Sequence, residues 1–559
     1  MKNLLLTLLL IAFVFNSLQA QSIQQITTLN SNDAKLEMHN LYTELNGKLY
    51  FAAGKYLWST DGTNSGTKVV KEFSQYGGNT LPVREASVFC LTTLNNKLFF
   101  TAFDSSYGWE LWTSDGTQNG TKMLVDLYPG TISGVCNVYH NQRSSNFDAP
   151  FAKANGNIYF YGCDGPTGIE LWKSDGTVAG TKMVKDINLL QNKGMADIPN
   201  LRNMVVTSNG NIFFHATDST YGDEFWVSDG TETGTKMIKD ITPGKYGTGQ
   251  GYEKYVVYND KVLFDVSGSL YITDGTEQNT QMLNSNLRIL SGDYVEYNNK
   301  VYFYGNTLSS GYCIFESDGT ASGTKQFFEV FGDNISPGNK LINLVVHNNL
   351  LYFTGRSPNT TSQVSGLWSS DGTISGTRLV DTSYELPQNM ITINNKLYYR
   401  IYNRVDSTID VWQSDGTSVG TKKVNHSFLD FATHGSALLR NIITAGNFMT
   451  YGNNLIFPYI YNTSTLAQLY RIGQWPDNVP KTKNTSEISI YPNPAIDQVA
   501  IKGDNITQIT ISDISGSIIY KQTRGTANTT VNIGSWSCGL YMVAIHLSDG
   551  STVYRKIIK

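Results

Sequence analysis

Charge is scarce in this chain. Only 16% of its 559 residues are Asp, Glu, Lys or Arg, and they sum to a net charge of −4, so there is no global basic field to hold nucleic acid or an anionic membrane. Long apolar runs are scarcer still. The one pronounced stretch, Leu4 to Val14, follows Lys2 and gives way to Leu18-Gln19-Ala20, the pattern of a secretory signal peptide over residues 1–20. It is too short to span a bilayer, and no later stretch approaches the roughly 20 residues that a transmembrane helix needs. The mature chain is therefore expected to start near Gln21, to be exported, and to carry no transmembrane segment.

Cysteine is rare and odd in number: Cys90, Cys136, Cys163, Cys313 and Cys538. At least one cannot pair within the chain, and no CxxC spacing suggests zinc. Export permits a bridge such as Cys136–Cys163, but small buried hydrophobes are the preferred reading. The seven histidines form no HExxH motif; only His426 and His434 fall near one another, eight residues apart, and exposed loop histidines are the expectation. P-loops, Rossmann fingerprints and DxDxDG calcium loops are absent. The glycine-rich run Gly244–Tyr252 lacks the GKS/T ending of a phosphate loop and reads as a crossover loop. No cofactor or metal is expected on these grounds.

What the chain has instead is 51 glycines, 33 tyrosines and 12% aromatics, a composition suited to an all-β extracellular protein. It also repeats itself. The run Glu170-Leu171-Trp172-Lys173-Ser174-Asp175-Gly176-Thr177 has counterparts whose Asp-Gly-Thr begins at Asp61, Asp115, Asp175, Asp229, Asp274, Asp318, Asp371 and Asp415, at intervals of 44 to 60 residues. Upstream of each stands an Asn-Gly or Asn-Asn-like pair leading into an apolar run: NGKLYF from Asn46, NNKLFF from Asn95, and so on to NNKLYY from Asn394. A ninth copy, NNLIFP from Asn453, has no Asp-Gly-Thr after it.

Each unit parses into four short strands. In the second, these are Val88–Leu94, a tight type I′-like turn at Asn95-Asn96, Lys97–Phe103, Trp109–Ser114 and Lys122–Leu127. Four antiparallel strands repeated at this period predict propeller blades. The ninth unit offers three strands, and Ile23–Leu29 stands before the first unit with nothing to pair with. Closing the ring with that N-terminal strand removes both open edges. The expectation is a propeller of nine four-stranded blades over residues 21–475, with eight blades as the alternative.

Trp58, Trp112, Trp172, Trp226, Tyr271, Phe315, Trp368 and Trp412 share one position in the repeat, which suits an aromatic packed between blades. The eight aspartates read as turn stabilisers, with Gly supplying an unusual dihedral; the other reading makes them calcium ligands. In a four-stranded meander, the Asn turns and the Asp-Gly-Thr turns lie on one face of the ring. The second-to-third loops and the crossovers lie on the other. There the sequence varies most, as in Tyr128–Ala152 with Cys136, His140 and Arg143, in Lys245–Tyr252 and in Arg356–Ser365, and variable loops on a rigid frame are where binding sites are carried. Unconstrained drift is the plainer explanation. Asp104, Asp164, Asp218 and Glu253 lie in or near these loops, so a catalytic carboxylate pair is conceivable, although no spacing nominates one.

The motif ELWxSDGTxxGT resembles the ELWxxDGTxxGT repeat of large secreted bacterial proteins, and its turn is similar to the Asp-box turn of some propellers. Ser-Asp-Gly-Thr stands intact at six of eight sites, with Thr60 and Thr273 replacing Ser in the others, and Pro129-Gly130, Pro243-Gly244 and Pro337-Gly338 match the PG that often follows. The resemblance covers Leu41 to Thr421 and implies an extracellular propeller-like module with no shared enzymatic activity.

Residues 476–487 (PDNVPKTKNTSE) are polar, carry two prolines and read as a linker. Residues 488–559 then alternate as about seven strands, a small Ig-like β-sandwich with a core expected around Trp536, Leu540 and Tyr541. YPNPA at Tyr491–Ala495, DISGSIIY at Asp513–Tyr520, GLYMVAI at Gly539–Ile545 and the terminal Tyr554–Lys559 together resemble the type A sorting domain of the type IX secretion system. The residues that carry the match include Tyr491, Pro492, Asn493, Pro494, Gly539, Tyr541, Lys556 and Lys559. The resemblance implies a Bacteroidota source, export across both membranes and removal of the domain by a sortase-like peptidase. It also implies attachment of the passenger to surface lipopolysaccharide in many cases. The resulting expectation is a secreted or surface-anchored, non-catalytic, adhesive propeller that binds a glycan or protein. The alternatives are a secreted polysaccharide-degrading enzyme and a structural surface-layer component.

Overall fold

The structure is a computed structural model. It describes residues 22–27, 42–74, 87–135, 151–189, 204–244, 255–307, 312–331, 344–356, 365–382, 387–403, 408–424, 448–451, 454–462, 465–473, 489–491, 497–503, 505–513, 517–523, 528–537, 540–548 and 552–559. The leader, the linker, Cys136, His140, Arg143, Glu253, His426, His434, Pro492–Pro494, Cys538 and Gly539 lie outside these residues. Among them every regular element is a strand. The chain divides into two compact units, Met1–Gln474 and Trp475–Lys559.

In the first unit the described strands form nine four-stranded antiparallel sheets; eight are continuous in sequence and are numbered in chain order as sheets 1 (42–72), 2 (88–125), 3 (152–185), 4 (205–237), 5 (255–284), 6 (287–331), 7 (345–382) and 8 (388–423). Sheet 2 shows how the residues build one. Val88–Leu94 runs into Asn95 and Asn96, whose φ angles of 48° and 58° form the left-handed pair that a two-residue hairpin requires. The same pair recurs at Asn298-Asn299, Asn348-Asn349 and Asn394-Asn395. The fourth unit departs from the pattern. There the Thr207 hydroxyl bonds to Asn209 Oδ1 at 2.7 Å, and Gly210 takes the positive φ.

The strands do not all alternate as a one-sided sheet would. In Lys97–Asp104, Leu98 through Ala102 are buried without a break, and all seven residues of Gly108–Ser114 are buried. Such runs arise when both faces of a sheet are covered. The hydrophobic clusters give the reason, because each spans two consecutive sheets. Leu45, Tyr50 and Phe73 of sheet 1 pack with Leu98, Phe100 and Trp112 of sheet 2, and equivalent clusters fill the junctions up to Tyr398, Val411, Phe448 and Leu455 between sheets 8 and 9.

Sheet 9 is assembled from the two ends of the unit. Ser22–Thr27 pairs antiparallel with Thr465–Gly473, with Ile23 opposite Ile472, and Asn454–Asn462 and Met449–Tyr451 complete the sheet. Sheet 9 also touches sheet 1: the Tyr451 hydroxyl donates to the Gly47 carbonyl and the Tyr42 hydroxyl to the Phe448 carbonyl, the latter at 3.5 Å. The architecture is propeller-like, with its last sheet closed by the first strand.

The C-terminal unit contains a three-stranded sheet (Ser489–Tyr491, Gln498–Lys502, Asn528–Asn532) and a four-stranded one in the order Ile518–Thr523, Ile506–Ser512, Leu540–Leu547, Thr552–Ile558. Its core is mostly aliphatic, with Val499, Ile501, Ile509, Ile511, Val531, Val543, Ile545 and Ile557, and includes the expected Tyr541. Trp536 is only partly buried, at the margin of this core rather than its centre. Alternation along paired strands decides which residues are inside, Tyr541 among them. The Tyr541 hydroxyl donates to the Ser537 carbonyl at 2.6 Å, and Lys559 Nζ donates to the carbonyls of Gly534 and Trp536.

Candidate functional site

The Asp-Gly-Thr turns have one construction. Asp175 Oδ1 accepts the Thr177 N–H at 2.8 Å and the Thr177 hydroxyl at 2.7 Å; Thr177 Oγ1 accepts the Gly180 N–H at 2.9 Å. The Thr181 hydroxyl donates to the Thr177 carbonyl and lies 2.7 Å from Ser174 Oγ, which accepts the Gly176 N–H. The same bonds to Oδ1 recur at Asp61, Asp115, Asp229, Asp274, Asp318, Asp371 and Asp415. Gly180 lies flat against the Asp175 carboxylate, where a Cβ would overlap it. In the fifth turn Asn279 replaces that glycine, and its Nδ2 donates to Asp274 Oδ2 at 2.7 Å.

Hydrogen bonds from Thr177, first from its hydroxyl and then from its N–H, hold the Asp175 carboxyl below the usual carboxylate range, and Asp115, Asp229, Asp318, Asp371 and Asp415 are held down in the same way. At Asp61 and Asp274 burial is the largest influence and acts upward, but the Thr bonds outweigh it. A carboxyl with a lowered folded pKa adds stability above its unfolded value, and that stability is lost as pH falls through the folded value. Because eight turns share the arrangement, the thermal midpoint is expected to fall steeply below about pH 4. Asp175→Ala is expected to cost about 1 kcal/mol in denaturant unfolding and to flatten this acid limb slightly. An unchanged midpoint would remove the turn role.

The first glycine of each turn serves the neighbouring sheet. Gly176 has φ +91°, and a Cβ there would lie 2.8 Å from Phe99 Cζ of the preceding sheet. Gly116 meets Tyr50, Gly230 meets Tyr159 and Gly416 meets Tyr352 in the same relation. The Asn turns join in, since Asn155 Nδ2 donates to the carbonyls of Gly210 and Asp229, and Asn298 Nδ2 donates to that of Asp371. This face of the ring is thus occupied by sheet-to-sheet bonds. Trp112, Trp172, Trp226, Phe315 and Trp368 are buried in the clusters that join each sheet to the one before it; Trp112, for example, meets Phe73 edge-on at 5.1 Å. Tyr271 and Trp412 are partly buried against the equivalent clusters. Trp58 stacks on Phe51 of its own sheet at 6.2 Å.

On the opposite face the carboxylates at the hairpin loops are occupied locally. Asp104 Oδ1 accepts the Ser106 N–H, Asp164 Oδ1 accepts the N–H and hydroxyl of Thr167, and Asp218 Oδ1 accepts the N–H groups of Thr220 and Tyr221. Two histidines differ from the expected loop positions. His215 is buried in Ile212–Asp218, with Nδ1 3.2 Å from Asp223 Oδ1, and His347 is buried in Val345–His347. Both stand on strands whose faces neighbouring sheets cover, which is why they are buried rather than in exposed loops. Burial also lowers the pKa of His347.

Three residues escaped sequence reasoning: Glu110, Glu170 and Glu224. Each stands two positions before the repeat Trp, and each is buried, with 0%, 3% and 0% exposure. Glu110 accepts the N–H groups of Leu127 at 3.1 Å and Gly134 at 2.7 Å. Glu170 accepts those of Ile187 and Asn188, both at 3.0 Å, and Glu224 those of Ile241 and Thr242 at 3.4 and 3.3 Å. They tie down the chain as it leaves sheets 2, 3 and 4. The available signal was that this Glu occurs in only three of the eight repeats, and those three precede long crossovers. Among the described residues no group of three or more His, Cys, Asp or Glu is placed to hold a metal ion, and no helix is long and apolar enough to cross a membrane.

Residues 489–559 match the family model of the secretion system C-terminal sorting domain. No curated protein matches the chain. Among solved structures, a puromycin hydrolase is similar at 12% identity over 66% of this chain and 58% of its own, with a TM-score of 0.30. The extracellular domain of a putative hybrid two component system from B. thetaiotaomicron is 10% identical over 96% of this chain and 98% of its own, with a TM-score of 0.30. A chain of a nidogen/laminin complex is 10% identical over 50% and 93%, with a TM-score of 0.25. The chain spans 58% of the first of these structures. The C-terminal match places the protein at the surface or outside of a Bacteroidota-type Gram-negative cell, delivered by the type IX machinery.

Proposed function

We propose that residues 21–475 form a nine-bladed propeller that acts as a non-catalytic binding module for a glycan or a protein at the cell surface. The observation that carries this reading is the asymmetry between the two faces. The Asn and Asp-Gly-Thr turns spend their polar groups on one another, as Asn155 does on Gly210 and Asp229. The crossovers on the other face differ in length and sequence, and Glu110, Glu170 and Glu224 anchor three of them at the root. A rigid ring with individually anchored, variable loops is the arrangement of a recognition surface. Consistent with a non-catalytic role, the loop aspartates considered as catalytic candidates, Asp104, Asp164 and Asp218, all accept bonds within their own hairpins. The eight repeat aspartates act as scaffold in this reading and hold no calcium. Residues 488–559 form an Ig-like sandwich that a sortase-like peptidase removes near the 476–487 linker, leaving the passenger free or attached to lipopolysaccharide.

The purified passenger, incubated with glycan arrays and with surface proteins from co-resident cells, is expected to retain one class of ligand. Replacing residues 136–150, which follow the Glu110-anchored root of the crossover between sheets 2 and 3, by a Gly-Ser linker of the same length should abolish that binding and leave the melting curve nearly unchanged. Turnover of an arrayed polysaccharide would replace this reading with an enzymatic one, and self-association without ligand would replace it with a surface-layer role.

A further inference from the structure

Glu110, Glu170 and Glu224 each face a second carboxylate. Asp126, Asp186 and Asp240 immediately precede the first amide that the glutamate holds, those of Leu127, Ile187 and Ile241. In each pair the Asp Oδ1 is buried and meets no donor, although both oxygens of the partner glutamate accept N–H bonds. A buried carboxylate oxygen without a donor is costly, and placing it beside a second, buried carboxylate costs more. A proton on one carboxyl of such a pair lets it donate to the other and relieves that cost. No Lys or Arg among the described residues faces these pairs to supply the missing charge. The titratable neighbours are Asp126 and Cys163 for Glu110, Asp186 and Asp164 for Glu170, and Asp240 and His215 for Glu224, with His215 already beside Asp223.

We propose that each Glu–Asp pair holds one proton between its carboxyl groups, and that losing it as pH rises releases the root of the crossover that follows, residues 127–134, 187–189 and 241–244. The atoms are simple to follow: the proton leaves to solvent, the pair becomes doubly negative, and the partly exposed Asp turns away and draws its neighbouring amide off the glutamate. Burial is the main cause holding the glutamates protonated, opposed by their N–H bonds, aided by the adjacent Asp and, at Glu224, opposed also by His215; it pushes Glu110 and Glu170 up to about 8 and Glu224 up to about 7. A raised carboxyl pKa stabilises the closed root fully at acid pH. The stability is lost as pH climbs from the ordinary Glu value to the raised one, after which it levels off. The inference concerns the described roots of the crossovers and stands whether or not the face binds a glycan or a protein.

Hydrogen exchange read by mass spectrometry on the full chain between pH 5 and 9, corrected for intrinsic rates, tests it. Peptides covering 127–134 and 187–189 should open about tenfold more per pH unit up to about pH 8, and the peptide covering 241–244 up to about pH 7, with a plateau beyond. The strand peptide 169–174 should not change. In Asp186→Asn the amide donates permanently to Glu170, so the 187–189 slope should vanish and protection should persist at pH 9; Asp126→Asn and Asp240→Asn repeat the test at their own crossovers if one variant misfolds. A flat wild-type profile or an unchanged slope in the Asn variants overturns the proposal. So does a slope that millimolar calcium abolishes, since the pair would then hold a cation instead of a proton.

Discussion

Removal of residues 489–559 leaves the protein folded and trapped in the periplasm. The segment is a compact unit with its own core, separate from the propeller-like unit, and it is the part that matches a secretion sorting domain. The passenger's hydrophobic clusters all lie between its own sheets, so its melting temperature should not change. What should change is address: in cell fractionation and surface proteolysis the external fraction should fall to background. A full-length variant separates loss of the fold from loss of the chain. Val543→Asp puts an unpaired charge among Ile509, Ile511 and Ile545, all fully buried, at a cost of several kcal/mol. It should unfold the terminal unit and block export as completely as the deletion does. Normal surface display of either variant would sink the sorting assignment.

Deleting Ser22–Thr27 is expected to do the most damage to stability. These six residues provide the fourth strand of sheet 9 and pair with Thr465–Gly473. Five registered pairs are lost. At about 1 kcal/mol net per backbone hydrogen bond the loss is on the order of 5 kcal/mol, a large share of the stability of a typical domain. The bared edge of Thr465–Gly473 also becomes a template for another chain, so the truncated passenger should both melt earlier and form dimers or larger species in size-exclusion chromatography. A synthetic SIQQIT peptide supplied in trans should restore the monomer. A monomeric truncation with the parental melting temperature would show that the strand is not what closes the sheet.

The two kinds of turn were legible from residues because they are local. Asn95-Asn96 announces its positive φ pair, and Asp175-Gly176-Thr177 announces a side chain that bonds its own backbone. The pairing of the N-terminal strand was legible too, since the ninth unit lacked a fourth strand and Ser22–Thr27 lacked a partner. Glu110, Glu170 and Glu224 were not: a Glu two residues before a Trp on a strand reads as an outward polar position until a second sheet covers that face. His215 and His347 were hidden by the same cause. In the C-terminal unit the expected Tyr541 lies in the core, whereas Trp536 sits at its margin and the plain alternation of Ile509, Ile511, Val543 and Ile545 fills the centre.

By itself, then, the sequence determined what depends on neighbours in the chain. That includes the period of the repeat, the strands and turns within each unit, the all-β class and the sorting signal at the C-terminus. Only the tertiary structure decided what depends on one sheet meeting the next. The glycine of each Asp-Gly-Thr turn makes room for a ring from the preceding sheet, as Gly176 does for Phe99. The glutamate of ELW is a buried clamp on the crossover that follows, and one face of the ring is sealed by bonds such as Asn298 to Asp371. The physical reason is that burial on both sides of a sheet is a property of the pair of sheets, and no single strand's pattern of residues encodes its neighbour's surface.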